Sequence, residues 1–472
     1  MNKDLIIIIG GRVLQILIML LSIRLLTSLL SPEEVGNYYL AVTILAFFNL
    51  VLLNPPGTYF SRHLLEWQRS QNLLNAISVF VLWMSIVAVI SILINAVLFD
   101  MTNYSEKFNQ EIFTLFILIA IVISTAHRNL IYGSNIMGFR KEFVMFLIIT
   151  LLIGLIISSS LVYFYKKSSL YWLYGIIISE ALMLYFVLRF FIQGNSLDFK
   201  KIKATINKDR IKKILMFTAP IGVTTFLMWG QNMSYRFIVD YKYSAEALGY
   251  IAVGLGISSA VFSSIEAIAM QYFNPVFLKD ILDATKEQRA KAWTKMASLV
   301  IPIYILALAF TITMSEQLIS ILVDSKFHDS YRYAMVGASI EFFRVITNLL
   351  NNVSQSEYKT TYTIMPYAIG FVVALCTLIT FDFSDNIIMI PVVLSFAYLL
   401  VCIVMYFQMK KLLNVKLEVN FLKVLTLSIP FYLIFFLPSS TSLVSSLLYL
   451  GLFGGYFLLS IRIIIIKAKE KI

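Results

Sequence analysis

The composition of this 472-residue chain excludes an ordinary soluble domain. Hydrophobic residues make up 59% of it and charged residues only 14%, whereas soluble domains carry about 25% charged residues. The mean hydropathy is +0.84. The net charge is +12, but the basic residues lie in the connections between apolar runs. Such a distribution indicates how a chain is oriented in a membrane and does not resemble a nucleic-acid-binding surface. We therefore expect a membrane protein with no nucleic-acid partner.

Apolar runs recur along the whole chain, and each is long enough to cross a hydrocarbon layer of roughly 30 Å, which takes about 20 helical residues. A β-barrel would show short segments of alternating hydrophobicity instead, and these are absent from the sequence. The first run continues to full spanning length, so we expect it to be a retained helix. The runs predict an all-α polytopic protein with about fourteen spans, at residues 5–30, 36–60, 74–99, 111–132, 143–165, 170–192, 214–239, 248–273, 294–323, 332–355, 361–382, 386–408, 421–437 and 443–466.

Lysine and arginine are concentrated in alternate connections, which predicts the orientation of the chain in the membrane. The acidic residues are concentrated in the opposite connections, together with few lysines. This asymmetry predicts that both termini are cytoplasmic. The basic connections hold Arg62, Arg69, Arg140, Lys141, Lys200 to Lys213, Lys279 to Lys295, Lys359, Lys410 to Lys423 and the tail Lys467 to Lys471.

A short internal repeat indicates how the helices are organised. Ser31-Pro32-Glu33-Glu34-Val35-Gly36 follows the first span, and Ser244-Ala245-Glu246-Ala247-Leu248-Gly249 follows the seventh. Six helices separate the copies, so the repeat predicts two six-helix lobes related by an axis along the membrane normal, around a central cavity. The predicted parts are an N-lobe at 1–192, a basic cytoplasmic linker at 193–213, a C-lobe at 214–410, and two further helices with a basic tail at 411–472.

Arginines inside the spans are candidates for a binding site. An ionisable residue in the hydrocarbon costs about 2.5–3.5 kcal/mol by insertion scales, so it normally faces a bundle interior or a watery cavity. Arg189, Arg332 and Arg462 lie near helix ends, where a long side chain reaches the head groups, and we expect them to anchor the helices. We expect four deeper arginines to face the cavity: Arg12, Arg24, Arg236 and Arg344.

One face of the tenth span is polar. Glu341, Arg344, Asn348, Asn351 or Asn352, and Gln355 recur every three or four residues and share a side of the helix. Three interpretations remain: a pair between Glu341 and Arg344 that fixes the helix, hydrogen bonding between helices, or the lining of a water-filled path. Similar faces lie on the eighth span, with Ser259, Ser263 and Glu266, and on the first, with Gln15 beside Arg12.

The Pro55-Pro56-Gly57 trio must bend or end the second span. Two prolines remove two amide donors, and glycine tolerates the turn that results. The trio therefore predicts either a hinge with local unwinding, or a helix that ends a turn early before Arg62.

The sequence also lacks the motifs of several enzymes. There is no GxxxxGK[ST] phosphate loop and no HExxH, and the three histidines are scattered, so we expect no metal site. The two cysteines, Cys376 and Cys402, fall in apolar spans, which excludes a disulfide framework. The predicted outer loops are too short to hold a transferase site. We expect a transporter rather than an enzyme, and the arginines favour an anionic cargo, because guanidinium groups bind phosphate oxygens in pairs.

The opening of the chain resembles the polysaccharide transporters of the multidrug/oligosaccharidyl-lipid/polysaccharide (MOP) superfamily, the Wzx-type flippases. An arginine, Arg24, is followed by Leu25-Leu26 and then by Ser31-Pro32-Glu33-Glu34-Val35-Gly36-Asn37-Tyr38-Tyr39. The family's usual phrase is P-x-x-[FY]-G-x-Y, and Val35 stands where its aromatic residue commonly does. The helix count, the two lobes and the basic linker also look like that superfamily. Most Wzx-type members have twelve spans, so the two extra helices are more similar to those of the lipid II flippases, where such a pair shapes a lipid groove.

The resemblance implies a flippase that moves an undecaprenyl-diphosphate-linked oligosaccharide from the cytoplasmic to the outer leaflet of the bacterial inner membrane. The product would enter O-antigen, lipopolysaccharide, capsule or exopolysaccharide synthesis. On that reading Arg12, Arg24, Arg236 and Arg344 hold the diphosphate. The polar residues expected to contact sugar or line the cavity are Gln15, Asn348, Asn351 and Gln355.

The same interpretation predicts how transport would be driven and which partners the protein would have. We expect no cofactor, and an H⁺ or Na⁺ gradient would drive transport through Glu266, Glu341 or Glu180. The expected partners are the lipid-linked cargo, anionic lipids and other polysaccharide-assembly membrane proteins, and a monomer suffices for two lobes. Two other classes stay open: a MATE-like exporter of small molecules, and a membrane-embedded transferase or scaffold.

Overall fold

The computed structural model describes residues 3–101, 104–192, 208–437 and 442–469. Regular structure in these ranges is helical throughout, with no strand. The α-helices are α1 (Lys3–Leu29), α2 (Pro32–Phe47), α3 (Asn54–Arg69), α4 (Leu73–Met101), α5 (Tyr104–Lys107), α6 (Gln110–Ile136), α7 (Arg140–Phe164), α8 (Ser169–Ile192), α9 (Lys208–Met233), α10 (Tyr235–Lys242), α11 (Ala245–Asp280), α12 (Lys286–Thr313), α13 (Ser315–Leu322), α14 (Tyr331–Ser356), α15 (Ile364–Thr380), α16 (Met389–Leu413), α17 (Phe421–Ser428) and α18 (Leu443–Lys469).

Twelve helical stretches of the described chain are long and apolar enough to cross a membrane, and each coincides with a predicted span. The other two predicted spans fall on α14, which carries the polar face, and on the shorter apolar helix Phe421–Phe436. The prediction of an all-α polytopic membrane protein is confirmed. The total of fourteen spans and the two-fold symmetry of the lobes stay predictions.

The chain forms two compact units, Met1–Glu246 and Ala247–Ile472. In the first unit, α7 and α8 pack along their length, with α1 against α7 and α6 against α4 and α8. Small residues permit the close approach of α7 and α8: a Cβ on Gly175 would collide with the backbone of Ser158, and the Ser158 hydroxyl donates to the Trp172 carbonyl at 2.7 Å. In lipid the hydrophobic effect does not hold helices together, so close packing and hydrogen bonds of this kind stabilise their association.

The second span continues through the predicted proline trio, directly after a locally widened turn. A π-helical segment, Phe48–Leu53, joins α2 to α3, and the Asn54 amide donates to the Asn49 carbonyl five residues earlier. Pro56 has no amide hydrogen for the Leu52 carbonyl, and the indole of Trp83 donates to that carbonyl instead, at 3.0 Å. The wider turn and the indole therefore accommodate the missing donors. The alternative of a helix that ends before Arg62 is wrong, since α3 runs on to Arg69.

In the second unit, α14 packs against α12 and α16, and α15 packs against α16. The Trp293 indole of α12 donates to the Leu349 carbonyl of α14 at 3.0 Å. At the end predicted to be cytoplasmic, Arg289 forms two hydrogen bonds with the Glu357 carboxylate, at 2.7 and 3.0 Å. These contacts fix the rotation of α14 and therefore decide where its polar face points.

Contacts group α9 and α10 with the first unit, where α9 packs on α3 and on the π-helical segment. The predicted linker begins at residue 193, and residues 193–207 lie outside the described part of the chain. The division into lobes at 1–192 and 214–410 and the appended helices at 411–472 stay predictions.

Candidate functional site

The polar faces predicted on the eighth and tenth spans meet in the second unit. Arg344 of α14 donates from Nε to Glu341 Oε2 at 2.6 Å and from Nη1 to Glu266 Oε2 of α11 at 3.1 Å. Its Nη2 also lies 3.3 Å from the Ser263 hydroxyl. The predicted pair between Glu341 and Arg344 is therefore confirmed, and the same guanidinium also bridges two helices through Glu266.

The second helix-to-helix bond is made by Asn348, which donates from Nδ2 to Glu266 Oε1 at 2.8 Å. The three charged side chains are largely buried, with 22% of Arg344, 18% of Glu266 and 11% of Glu341 exposed. One guanidinium faces two carboxylates, so the cluster carries a net negative charge when both acids are ionised. Hydrogen bonding between helices and the ion pair together account for much of the polar face.

The rest of that face continues toward the end of α14. Asn351 and Asn352 are half-buried and Gln355 is exposed. The Asn351 amide oxygen accepts from the Ser354 hydroxyl at 2.6 Å, while Asn352 Nδ2 is buried without a hydrogen-bond partner among the described residues. The role of Asn348, Asn351 and Gln355 toward a sugar stays a prediction.

Arg236 lies at the start of α10 and is held against α2. Its Nη1 donates to the Thr43 hydroxyl at 3.1 Å and to the Tyr39 carbonyl at 3.4 Å, and its guanidinium carbon lies 5.0 Å from the centre of the Tyr39 ring. No acidic side chain of the described chain pairs with it. Arg236 thus joins two helices of the first unit and keeps an uncompensated positive charge.

Arg24 differs from the other arginines because part of it has no partner. It is half-buried near the end of α1, and its Nη1 is buried with no hydrogen-bond partner within the described residues. An unpaired guanidinium nitrogen in a low-dielectric setting is costly. This nitrogen is therefore a buried donor that no described residue of the chain satisfies.

The phrase after Arg24 has a structural role. Ser31 caps α2 by accepting from the Glu34 amide at 3.3 Å, Pro32 occupies the first turn, and Glu34 accepts from the Ser169 amide at the start of α8 at 2.6 Å. A Cβ on Gly36 would collide with the Ala245 carbonyl. Gly36 of the first repeat copy thus lies against Ala245 of the second, both within the first unit, and glycine is needed at this close approach.

The remaining predicted residues lie apart from the Arg344 cluster. Arg12 is exposed on α1, and its Nη1 donates to Gln15 Oε1 at 2.8 Å. Glu180 of α8 accepts from the Ser124 hydroxyl of α6. The cavity-facing roles of Arg12, Gln15 and Glu180 stay predictions. The described residues contain no cluster of histidine, cysteine and acidic side chains that fits a metal ion.

A family model described as polysaccharide biosynthesis protein matches residues 25–332. The chain belongs to this family. The family match confirms the resemblance inferred from the opening residues of the chain. No curated protein matches the chain at the sequence level.

Solved structures show the fold of this polysaccharide biosynthesis family member. The lipid II flippase MurJ in an inward closed conformation covers 98% of each chain, with a TM-score of 0.73 at 14% identity. An inward-facing multidrug resistance MATE transporter of the MOP superfamily covers 84% of this chain and 95% of its own, with a TM-score of 0.62 at 11% identity. A third structure is that of a MOP superfamily transporter from Pyrococcus furiosus, described by the reverse polarity of its binding pocket. The match covers 87% of this chain and 96% of that one, with a TM-score of 0.53 at 10% identity. The fold is that of MOP superfamily transporters.

Sequence reasoning missed a polar cluster in the first unit of this family member. Arg128 Nη2 of α6 donates to Asn49 Oδ1 of the π-helical segment at 2.9 Å, and the Thr125 hydroxyl donates to the same oxygen at 3.1 Å. Thr125 and Arg128 are three residues apart on one helical face, a spacing that was available as a signal. Their partner Asn49 was not predictable, because it depends on the local π turn.

Proposed function

We propose that this protein is a flippase that moves an undecaprenyl-diphosphate-linked oligosaccharide across the bacterial inner membrane, from the cytoplasmic to the outer leaflet, by alternating access. The proposal is supported by the polysaccharide biosynthesis family and by the fold shared with a protein titled lipid II flippase. The flipped unit would enter O-antigen, capsule or exopolysaccharide synthesis. Both termini would be cytoplasmic, and the protein would act as a monomer beside other polysaccharide-assembly proteins. It would carry its cargo without chemical change.

The observation that carries this proposal is the unpaired positive charge of the first unit. Arg12, Arg24 and Arg236 all lie in apolar spans, and none forms an ion pair with a described acidic residue. Burying a charge without an opposite charge is unfavourable, so the half-buried Arg24 and Arg236 need further polar partners such as water or an anionic ligand. A diphosphate supplies oxygens that guanidinium forks bind in pairs.

The structure distinguishes among the four predicted arginines. Arg344 is already neutralised by Glu266 and Glu341, and Arg236 is bound to Tyr39 and Thr43. Arg24 keeps a buried Nη1 without a partner. In this proposal Arg24 is the principal diphosphate ligand, with Arg12 as an exposed second guanidinium on the same helix, while Arg236 contributes charge at a distance.

The experiment that tests the function is a flipping assay in proteoliposomes. The purified protein is reconstituted with an undecaprenyl-diphosphate-linked oligosaccharide placed in both leaflets, and a membrane-impermeant glycosidase reports the sugars on the outside. We expect the cleaved fraction to rise from about half toward completion with protein and to stay near half in protein-free vesicles. Efflux of an organic cation without sugar-lipid movement would support the MATE-like alternative and overturn the proposal.

We also propose that Glu266 or Glu341 couples transport to an H⁺ or Na⁺ gradient. A single guanidinium serves both carboxylates, so the net negative charge of the cluster is removed when one acid takes up a proton or a cation. Glu180, held by Ser124, is the remaining candidate in the first unit.

Replacing Glu266 or Glu341 with Gln is expected to leave a folded protein whose flipping no longer responds to an imposed gradient. Each variant keeps one carboxylate for Arg344, which preserves the ion pair, while Gln cannot exchange a proton. The rate is measured with and without a pH or Na⁺ gradient, and Glu111→Gln, at an exposed helix start, is the matched control. Unchanged gradient dependence in the Glu266, Glu341 and Glu180 variants would reject the coupling role.

A further inference from the structure

A basic cavity of about 1480 Å³ lies in the second unit, at the end predicted to be cytoplasmic. Its walls are the first half of α12, the segment from Leu413 to Leu427, and Ile464 of α18. None of the residues assigned to the flipping or coupling sites lines it. We call the space between these walls the basic cavity.

Local sequence signals shape the walls. Asn414 ends α16 in the left-handed conformation, with φ of 52°, and thereby turns the chain back across the helix bundle. Asn420 then caps α17 by accepting from the Lys423 amide at 3.1 Å. Opposite, the Thr285 and Gln288 capping box begins α12. The loop is attached to α12 where the Lys416 amide donates to the Thr294 hydroxyl at 3.4 Å.

The polar part of the lining is strongly positive. Five lysines and two glutamates line the cavity, which leaves an excess of three positive charges at neutral pH. The lysines come from both walls: Lys286, Lys291 and Lys295 from α12, and Lys416 and Lys423 from the opposite segment. Thr294, Ser298 and Asn420 add hydroxyl and amide groups between them. Lysines on two opposite walls suit a phosphate, which accepts several charge-assisted hydrogen bonds.

The other part of the lining is apolar and lies deeper along the helices. Leu299 and Pro302 follow the lysines on α12, and Val424, Leu427 and Ile464 face them. A free phosphate gains nothing from such a wall, and the volume of 1480 Å³ exceeds even the usual 300–1,000 Å³ of small-molecule sites. A molecule with an anionic head and a hydrocarbon portion matches both parts.

We propose that the basic cavity binds the phosphate head group of an anionic phospholipid, with the proximal part of its acyl chains against Leu299, Pro302 and Leu427. The phosphate lies between the lysines of α12 and those of the 413–427 segment. The bound lipid thereby joins α12 to α17. This site takes a resident membrane lipid and does not depend on the proposed cargo.

The test measures lipid binding to the purified full-length protein by native mass spectrometry, with phosphatidylglycerol as the anionic probe and phosphatidylcholine of equal chain length as the neutral one. We expect preferential retention of phosphatidylglycerol. The double variant Lys295→Gln/Lys416→Gln removes one charge from each wall and should weaken that binding about 25-fold, since a lysine near a lipid surface contributes about fivefold. The matched control Lys212→Gln/Lys213→Gln removes two exposed charges from the first unit and should bind as the wild type does.

A second variant separates the two sources of phosphate. Ser298→Trp adds bulk to the wall between Lys295 and Leu299 without changing its charge, so it should block the lipid and leave the binding of glycerol phosphate unchanged. Equal retention of both lipids, equal loss in the control pair, or full competition by millimolar inorganic phosphate would overturn the proposal. Because no cargo is present, the result is independent of whether the protein flips an oligosaccharide.

Discussion

Replacing Arg24 with Gln is expected to slow the flipping of a diphosphate-linked oligosaccharide by roughly 10–150-fold, because a hydrogen bond to a charged group contributes about 1.5–3 kcal/mol. The Nη1 of Arg24 is buried without a partner in the described chain, so its removal breaks no internal bond of that nitrogen. The thermal stability of the variant should therefore stay close to that of the wild type. Initial rates in proteoliposomes and the unfolding midpoint in detergent measure the two quantities.

Two further substitutions sharpen this test. Arg24→Lys keeps the charge but loses the planar fork, so it should flip at an intermediate rate. Arg189→Gln, at an exposed position near the end of α8, is the matched control and should flip normally. If Arg24→Gln flips at the wild-type rate, a diphosphate bound by this arginine is contradicted, and the anionic cargo loses its main support.

The helical framework was predictable from the sequence because each apolar run of about 20 residues specifies its own span. The two polar faces were also predictable, since Ser263 and Glu266, or Glu341 and Arg344, are three residues apart on one helix. The contact between these two faces was not predictable. Arg344 and Glu266 are separated by 78 positions, and nothing in a single sequence specifies which helical faces pack together.

The arginines illustrate the same limit. Their depth in the spans indicated that they need partners, but depth cannot distinguish a ligand from an internal neighbour. Arg236 reaches Thr43, 193 positions away, and Arg344 is shared by two acids, whereas Arg24 retains an unpaired nitrogen. These three arginines, which look alike in the sequence, therefore have three different environments.

The proline trio shows how tertiary context decides between local alternatives. Pro55 and Pro56 remove amide donors, and the sequence left open whether the helix would end or bend. The Trp83 indole satisfies the Leu52 carbonyl from a neighbouring helix, which allows the chain to continue as α3. The same holds for Glu34, which the sequence places in the connection before the second span, whereas the structure bonds it to the start of α8.

Replacing Arg344 with Gln is expected to destabilise the second unit by about 3 kcal/mol, because removal of one partner from a buried ion pair costs about 3–5 kcal/mol. The lower end applies, since 22% of the Arg344 side chain is exposed. Two carboxylates would then face each other without a counter-charge. In a chain of this size the unfolding midpoint should fall by roughly 3 °C, as measured by scanning fluorimetry in detergent.

The neutral triple variant Glu266→Gln/Glu341→Gln/Arg344→Gln should recover most of that loss, because no unpaired charge remains and the amides can hydrogen-bond to one another. Arg332→Gln, at an exposed position on the same helix, should change stability by less than about 0.5 kcal/mol. A triple variant as unstable as the single one would show that charge balance is not what the cluster supplies. A stable triple variant that has also lost its response to an ion gradient would separate the two roles of these acids. Stability requires only that the charges of the cluster balance, whereas coupling requires that the charge of one acid can change.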